Sequence, residues 1–289
     1  MAMKEQILVT VDELKGWFDD PNLRPHLRIV DCRWVLGEAG AGRRQYETGH
    51  IPGAVHLDVD EHLSGKEGPG RHPLPGKREF GQLLGSIGID RESSVVVYDA
   101  GTGAPAARLW WLLRYYGHEN VGVLDGGWKV WVEKGGAVST EVPAFSKTDT
   151  VLRPKRRWVT DKSTVDSLRD QPDAVLIDAR SPERYRGETE PIDARAGHIP
   201  GAVNLPYSET IDPETGLFKS PEELKQLFVE RGVSGKKVIS YCGSGITACT
   251  NLLALKIAGF DGVLYEGSWS DWSADQNLQI AGGQQKSGS

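Results

Sequence analysis

The chain contains one pattern twice, and that repetition limits its possible folds more than any other feature. Gly49-His50-Ile51-Pro52-Gly53-Ala54-Val55 returns as Gly197-His198-Ile199-Pro200-Gly201-Ala202-Val203. Ahead of each copy an apolar run ends in an acidic residue, Leu27-Arg28-Ile29-Val30-Asp31 and Ala174-Val175-Leu176-Ile177-Asp178. Behind each lies a helical pattern, with Phe80, Leu83 and Leu84 matching Leu224, Leu227 and Phe228. Apolar strands follow, Val95-Val96-Val97-Tyr98 and Val238-Ile239-Ser240-Tyr241, then a glycine-rich loop and an apolar helix. The copies close on Asp125-Gly126-Gly127-Trp128 and Glu266-Gly267-Ser268-Trp269. Landmarks recurring in the same order mean two copies of one domain. Short apolar runs alternating with 3.6-residue periodicity predict, in each copy, an α/β domain with a mainly parallel sheet flanked by helices.

The 289 residues accommodate two such domains. The expected boundaries are a first domain over 1–141, a linker over 142–158, a second domain over 159–280 and an unstructured low-complexity tail over 281–289. The linker holds Pro143, Pro154 and the cluster Arg153, Lys155, Arg156, Arg157, which reads as a solvated surface run. Thr10 with Glu13 predicts a capping box on the first helix, and Thr160 the start of its counterpart. Thirty-four basic against 40 acidic residues leave a formal charge of −6, which argues against nucleic acid as a partner. No apolar run is long enough to cross a membrane, and the N-terminal residues do not suggest a secretory signal. Three cysteines make no disulfide framework, so a reducing, cytoplasmic setting is expected.

In α/β domains of this kind ligands bind beyond the carboxyl ends of the strands. The loop there in the second copy is Cys242-Gly243-Ser244-Gly245-Ile246-Thr247-Ala248. Its two glycines let successive backbone N–H groups converge into an anion nest before a helix N-terminus. A cysteine at its mouth is expected to have a lowered pKa and to act as a nucleophile. Cys242 is therefore the candidate nucleophile, with Gly243, Gly245, Ile246 and Thr247 lining the substrate site. Cys32 and Cys249 read as packing residues. The first copy has Asp99 where the second has Cys242, so the first domain should be catalytically silent.

Two tandem copies, each with Asp-x-Arg followed by His-Ile-Pro-Gly-Ala, and a single Cys-Gly-Ser-Gly-Ile-Thr-Ala loop resemble the two-domain rhodanese sulfurtransferases. The resemblance runs over about residues 8 to 275 and includes Gly267-Ser268-Trp269-Ser270-Asp271-Trp272. It implies a persulfide on Cys242 and a silent N-terminal domain. It also bears on the sulfur donor. Enzymes preferring thiosulfate carry cations just after the cysteine, whereas the 3-mercaptopyruvate branch carries Gly-Ser-Gly, as Gly243-Ser244-Gly245 does here. Mercaptopyruvate leaves as an enolate that must gain a proton, a task suited to the Ser244 hydroxyl. The expected activity is transfer of sulfur from 3-mercaptopyruvate, with thiosulfate as the alternative donor, to cyanide or to a thiol acceptor, either a small thiol or a thioredoxin-like protein.

The stretch Arg184-Tyr185-Arg186-Gly187 resembles the family's arginine-aromatic segment, whose first arginine binds substrate, which implies Arg184 for the substrate carboxylate with Arg186 a weaker candidate. Without the resemblance, both arginines would read as surface partners of Glu183, Glu188 or Glu190. His50 and His198 recur with the repeated turn, so a turn-stabilising role explains both, although the resemblance also makes His50 a candidate for proton relay. A cysteine phosphatase would need an arginine six positions after the cysteine, where Ala248 stands. A non-enzymatic module fits the first copy but not one that keeps Cys242. No metal or dinucleotide signature is present in the sequence, so no cofactor is expected.

Overall fold

The computed structural model describes residues 6–282. It divides into two compact units: residues 6–66, 74–156 and 212–218 form the first, and 67–73, 157–211 and 219–282 the second. The division is not one cut. In each copy the stretch ahead of the long surface helix is assigned to the other unit, so Arg71 and His72 belong with the second.

In the first unit the elements run β1 (Leu8–Val9), α1 (Val11–Asp19), β2 (Leu27–Asp31), α2 (Ala41–Thr48), β3 (Ala54–His56), α3 (Lys77–Ser86), β4 (Ser94–Tyr98), α4 (Ala104–Tyr115), β5 (Val121–Leu124) and α5 (Gly127–Glu133). The sheet order is β1-β5-β4-β2-β3, and every pairing is parallel. The second unit repeats the series with β6 (Val159–Thr160), α6 (Lys162–Leu168), β7 (Ala174–Asp178), α7 (Pro182–Arg186), β8 (Val203–Asn204), α8 (Pro221–Glu230), β9 (Lys237–Tyr241), α9 (Ala248–Ile257), β10 (Gly262–Tyr265) and α10 (Ser268–Trp272). Its order, β6-β10-β9-β7-β8, is the same and again all parallel. Because helices cover a parallel sheet, its central strands read as continuous apolar runs, and β4 and β7 are buried along almost their whole length. Phe80 and Leu84 of α3, like Leu224 and Phe228 of α8, are buried.

Thr10 caps α1 in a full capping box with Glu13. The matching cap on α6 is Asp161, not Thr160: Thr160 ends β6, and the Asp161 carboxylate accepts from Thr164 N–H at 2.8 Å. Ala281, expected to open an unstructured tail, instead exchanges backbone hydrogen bonds with His198 at 2.8 and 3.0 Å. The remainder of that segment, 283–289, lies outside the described residues.

The repeated landmarks form the same interaction set twice. Arg33 forks onto Asp31, donates to the Gly49 carbonyl at 2.7 Å and stacks over Trp128 at 4.5 Å. Arg180 does the same with Asp178, the Gly197 carbonyl at 2.6 Å and Trp269 at 4.5 Å. Tyr98 O–H donates to Asp31, and the same hydroxyl accepts from Ile51 N–H; Tyr241 accepts from Ile199 N–H in the second copy. Buried ionic groups persist only when paired and fully hydrogen-bonded, and these are. Each set ties the end of a central strand to the Gly-His-Ile-Pro turn and to the tryptophan that follows the last strand. No described helix is long and apolar enough to cross a membrane.

Candidate active site

The loop following β9 is braced from one side before any side chain is considered. Trp269 and Ser270 N–H donate to the carbonyls of Cys242 and Gly243, each at 2.9 Å. Ser268 lies at φ 53, the one non-glycine residue with positive φ among the described residues. That conformation is costly for an L-residue. It puts the Ser268 hydroxyl under the Cys242 loop, where it accepts from Cys242 N–H at 3.2 Å and donates to the Tyr265 carbonyl at 2.9 Å.

Cys242 is 2% exposed, and its Sγ accepts the Gly245 N–H at 3.1 Å. Gly245 has φ +82, the left-handed conformation that turns this N–H back toward the sulfur. Ile246 is buried and Thr247 half-buried where the loop enters α9. Cys249 is buried one turn on, its thiol donating to the Gly245 carbonyl. Cys32 is fully enclosed; burial first, then Asp31 and Asp99, pushes its thiol pKa well up, which disfavours the thiolate.

The first copy displays what this loop geometry holds. The Asp99 carboxylate accepts from Gly101 N–H at 2.8 Å, Gly103 N–H at 3.1 Å and Ala106 N–H at 3.2 Å. Those donors form a nest around an anion. Burial nevertheless holds the Asp99 carboxyl above its ordinary range, with the N–H groups opposing.

Two residues past Cys242, the buried Ser244 hydroxyl lies 2.7 Å from Nδ1 of His72. Sequence reasoning missed His72, and with it Arg71 and Asp193. The available signal was asymmetry: the matching stretch of the second copy, Thr215-Gly216, holds neither a histidine nor an arginine. Gly70 makes the approach possible. It adopts φ +72, and a β-carbon there would lie 2.4 Å from the Gly267 carbonyl oxygen, while Arg71 N–H next to it donates to Ser270 Oγ at 3.1 Å.

Two guanidiniums stand over Gly243. A β-carbon on that glycine would lie 3.1 Å from Arg71 Nη2 and 3.3 Å from Arg184 Nη1. Arg184, on α7, donates to Glu190 at 2.7 Å and to Asp193 at 3.0 Å, both carboxylates being only 4% exposed. Arg71 donates to the other oxygen of Asp193. Burial raises the Asp193 carboxyl, while Arg71 and Arg184 pull it back. Glu190 is held below its usual range despite burial, by Arg184 and the N–H groups of Asp193 and Ile192. Arg186 points elsewhere and pairs with the exposed Glu188. The loop thus carries no cation of its own, as the sequence indicated, but two reach it from outside.

His50 is not placed as a relay. Its ring is fully buried, stacked on Tyr46 at 3.9 Å, with Nδ1 2.8 Å from the Tyr46 carbonyl and Nε2 3.0 Å from that of Glu141. His198 repeats the arrangement, stacked on Tyr185 with Nδ1 2.7 Å from the Tyr185 carbonyl. Both hold the repeated turn. Among the described residues no cluster of three or more His, Cys, Asp or Glu could hold a metal ion.

Comparison with known proteins assigns both copies to one family. The rhodanese-like domain model matches twice, over residues 10–134 and 161–275. A protein of Pseudomonas aeruginosa named as a probable 3-mercaptopyruvate sulfurtransferase is 40% identical over 97% of this chain and 100% of its own. A thiosulfate sulfurtransferase of Mus musculus is 34% identical over 86% of each chain. The crystal structure of SseA from Escherichia coli, described among 3-mercaptopyruvate sulfotransferases, superposes with a TM-score of 0.81 at 33% identity, covering 92% of this chain and 99% of that one. With the family model matched over both copies, this chain belongs to the rhodanese family and consists of two tandem rhodanese-like domains.

Proposed function

We propose that this chain is a sulfurtransferase that takes sulfur from 3-mercaptopyruvate onto Cys242 and passes it to a thiol or, in vitro, to cyanide. The observation that carries the reading is the pairing of two groups in one loop. Cys242 Sγ accepts the Gly245 N–H at 3.1 Å, and the next side chain, Ser244, is hydrogen-bonded to His72 at 2.7 Å. A nucleophile and a proton relay within one turn suit a reaction that makes an S–S bond and must protonate a carbanion equivalent.

In the first half-reaction the Cys242 thiolate attacks the mercaptopyruvate sulfur. The S–S bond forms as the C–S bond breaks, and the departing electron pair leaves as the enolate of pyruvate. Ser244 gives the enolate a proton and regains one from His72. The outer persulfide sulfur occupies the nest formed by the backbone of Gly243, Gly245, Ile246 and Thr247, in the way the first copy's loop surrounds the Asp99 carboxylate. Arg184 takes the substrate carboxylate, its planar fork matching two oxygens. In the second half-reaction an acceptor thiolate attacks the outer sulfur, the persulfide bond breaks and Cys242 is restored.

The runner-up donor is thiosulfate, favoured by the two guanidiniums above Gly243, which could serve a departing sulfite. Steady-state rates with the two donors side by side test the choice. A kcat/KM for 3-mercaptopyruvate at least tenfold above that for thiosulfate supports the proposal, and the reverse order overturns the donor assignment.

A further inference from the structure

The two cations over Gly243 are not free positive charge. Asp193 lies between them, one oxygen on Arg71 and the other on Arg184, and Glu190 accepts from Arg184 Nη2 and Nε. Glu190 also meets Arg180 Nη1 at 3.2 Å, and Arg180 is itself forked onto Asp178. Three arginines face three carboxylates, so the wall beside the nucleophile carries no net charge. Asp193 is the carboxylate shared by the two arginines nearest Gly243, and it is 4% exposed. Arg71 Nε, although buried, has no hydrogen-bond partner among the described residues. One donor of the outer arginine is therefore unmet in the present arrangement, while its Nη atoms flank the place where a donor must bind.

From this we infer that Asp193 is a specificity-determining residue: by neutralising one guanidinium it tunes the site to a singly charged sulfur donor, with Arg71 as the second cation facing that donor. A neutral wall plus one incoming carboxylate is tolerable, because the carboxylate exchanges places with part of the Asp193 interaction. A dianion such as thiosulfate brings a second charge that the wall does not match, beside a thiolate that is also negative. Removing the Asp193 charge leaves the wall one unit positive and suited to a dianion. Removing Arg71 leaves it one unit negative and hostile to any anion, most of all to a dianion. Removing both restores neutrality.

The inference rests on the reading that Cys242 works on small anionic donors, and its test separates the two. In a Cys242→Ser background, where no sulfur is transferred, calorimetry measures the affinities of thiosulfate and of pyruvate. Asp193→Asn should raise the thiosulfate-to-pyruvate affinity ratio at least tenfold. Arg71→Met should lower it threefold or more, and the Arg71→Met/Asp193→Asn pair should return it to within threefold of the starting value. A merely structural role for the cluster would weaken both ligands together and leave the ratio fixed, which overturns the inference. Arg71→Met, on the more exposed partner, carries the same test alone if Asp193→Asn does not fold. Turnover by the unmutated protein is measured separately. Its absence with either donor would sink the proposed activity while leaving the affinity shifts to decide the charge selection.

Discussion

Replacing Arg184 gives the most quantitative check on how the site holds its donor. Arg184→Met keeps most of the apolar stem and removes the guanidinium. In the structure that group is 18% exposed, directed at Gly243 on one side and at two nearly enclosed carboxylates on the other. A hydrogen bond to a charged group contributes about 1.5–3 kcal/mol, so a carboxylate that loses this partner should bind roughly 10- to 150-fold more weakly. Glu190 and Asp193 stay behind with one cation fewer, and their repulsion of an incoming anion places the effect in the upper part of that range. The loss should fall on KM for 3-mercaptopyruvate, with kcat within about threefold, because the contact exists before the C–S bond breaks. Arg184→Lys should recover part of the affinity, since it restores charge without the fork. Arg186→Met is the control: its side chain pairs with the exposed Glu188, and its KM should stay within about twofold. Steady-state pyruvate release is the assay. A KM for Arg184→Met within twofold of the parent, or a larger effect for Arg186→Met, would refute the assignment of the substrate carboxylate to Arg184.

Ser244→Ala and His72→Gln should each lower kcat for 3-mercaptopyruvate by about 10²-fold or more, and the double variant should be no worse than either alone, because the two act as one relay. Independent, multiplying losses would mean they do not. Burial also lowers the pKa of His198 and of His118, so each binds fewer protons folded than unfolded. The stability they permit is present above their unfolded pKa near 6.5 and is lost as pH falls below it toward the folded value. The urea midpoint should therefore drop between pH 7.5 and 5.5, and His198→Gln should flatten that slope. A midpoint that rises on acidification would contradict the sign.

Much of the framework could be read from the chain because it is local or repeated. The runs that became β2, β4, β7 and β9 end within a residue of the apolar patterns, since a strand covered on both faces must be apolar throughout. The Asp-x-Arg and His-Ile-Pro-Gly landmarks were visible as words; their meaning, an arginine tying a strand end to a turn and a tryptophan, needed coordinates. Thr160 stands at the start of the second copy's first helix as Thr10 does in the first, but the acceptor one residue later, Asp161, satisfies that helix start instead. The loop holding Cys242 and its glycines stands out as a candidate in the sequence because it is contiguous there. His72 does not, because it meets Ser244 across 172 residues and no periodicity or spacing marks such a contact. Arg71 and Asp193 were hidden for the same reason, and so the loop alone suggested a site without cations.

In the proposed activity one cysteine, Cys242, carries the transferred sulfur. Intact-protein mass spectrometry after exposure to 3-mercaptopyruvate without acceptor measures it directly. A single added sulfur, about 32 Da, is expected as the product of nucleophilic catalysis at one thiol. It should be removed by cyanide, absent from Cys242→Ser and retained by Cys32→Ser and Cys249→Ser. Sulfur retained by Cys242→Ser, or lost with either of the other two cysteines alone, would contradict it.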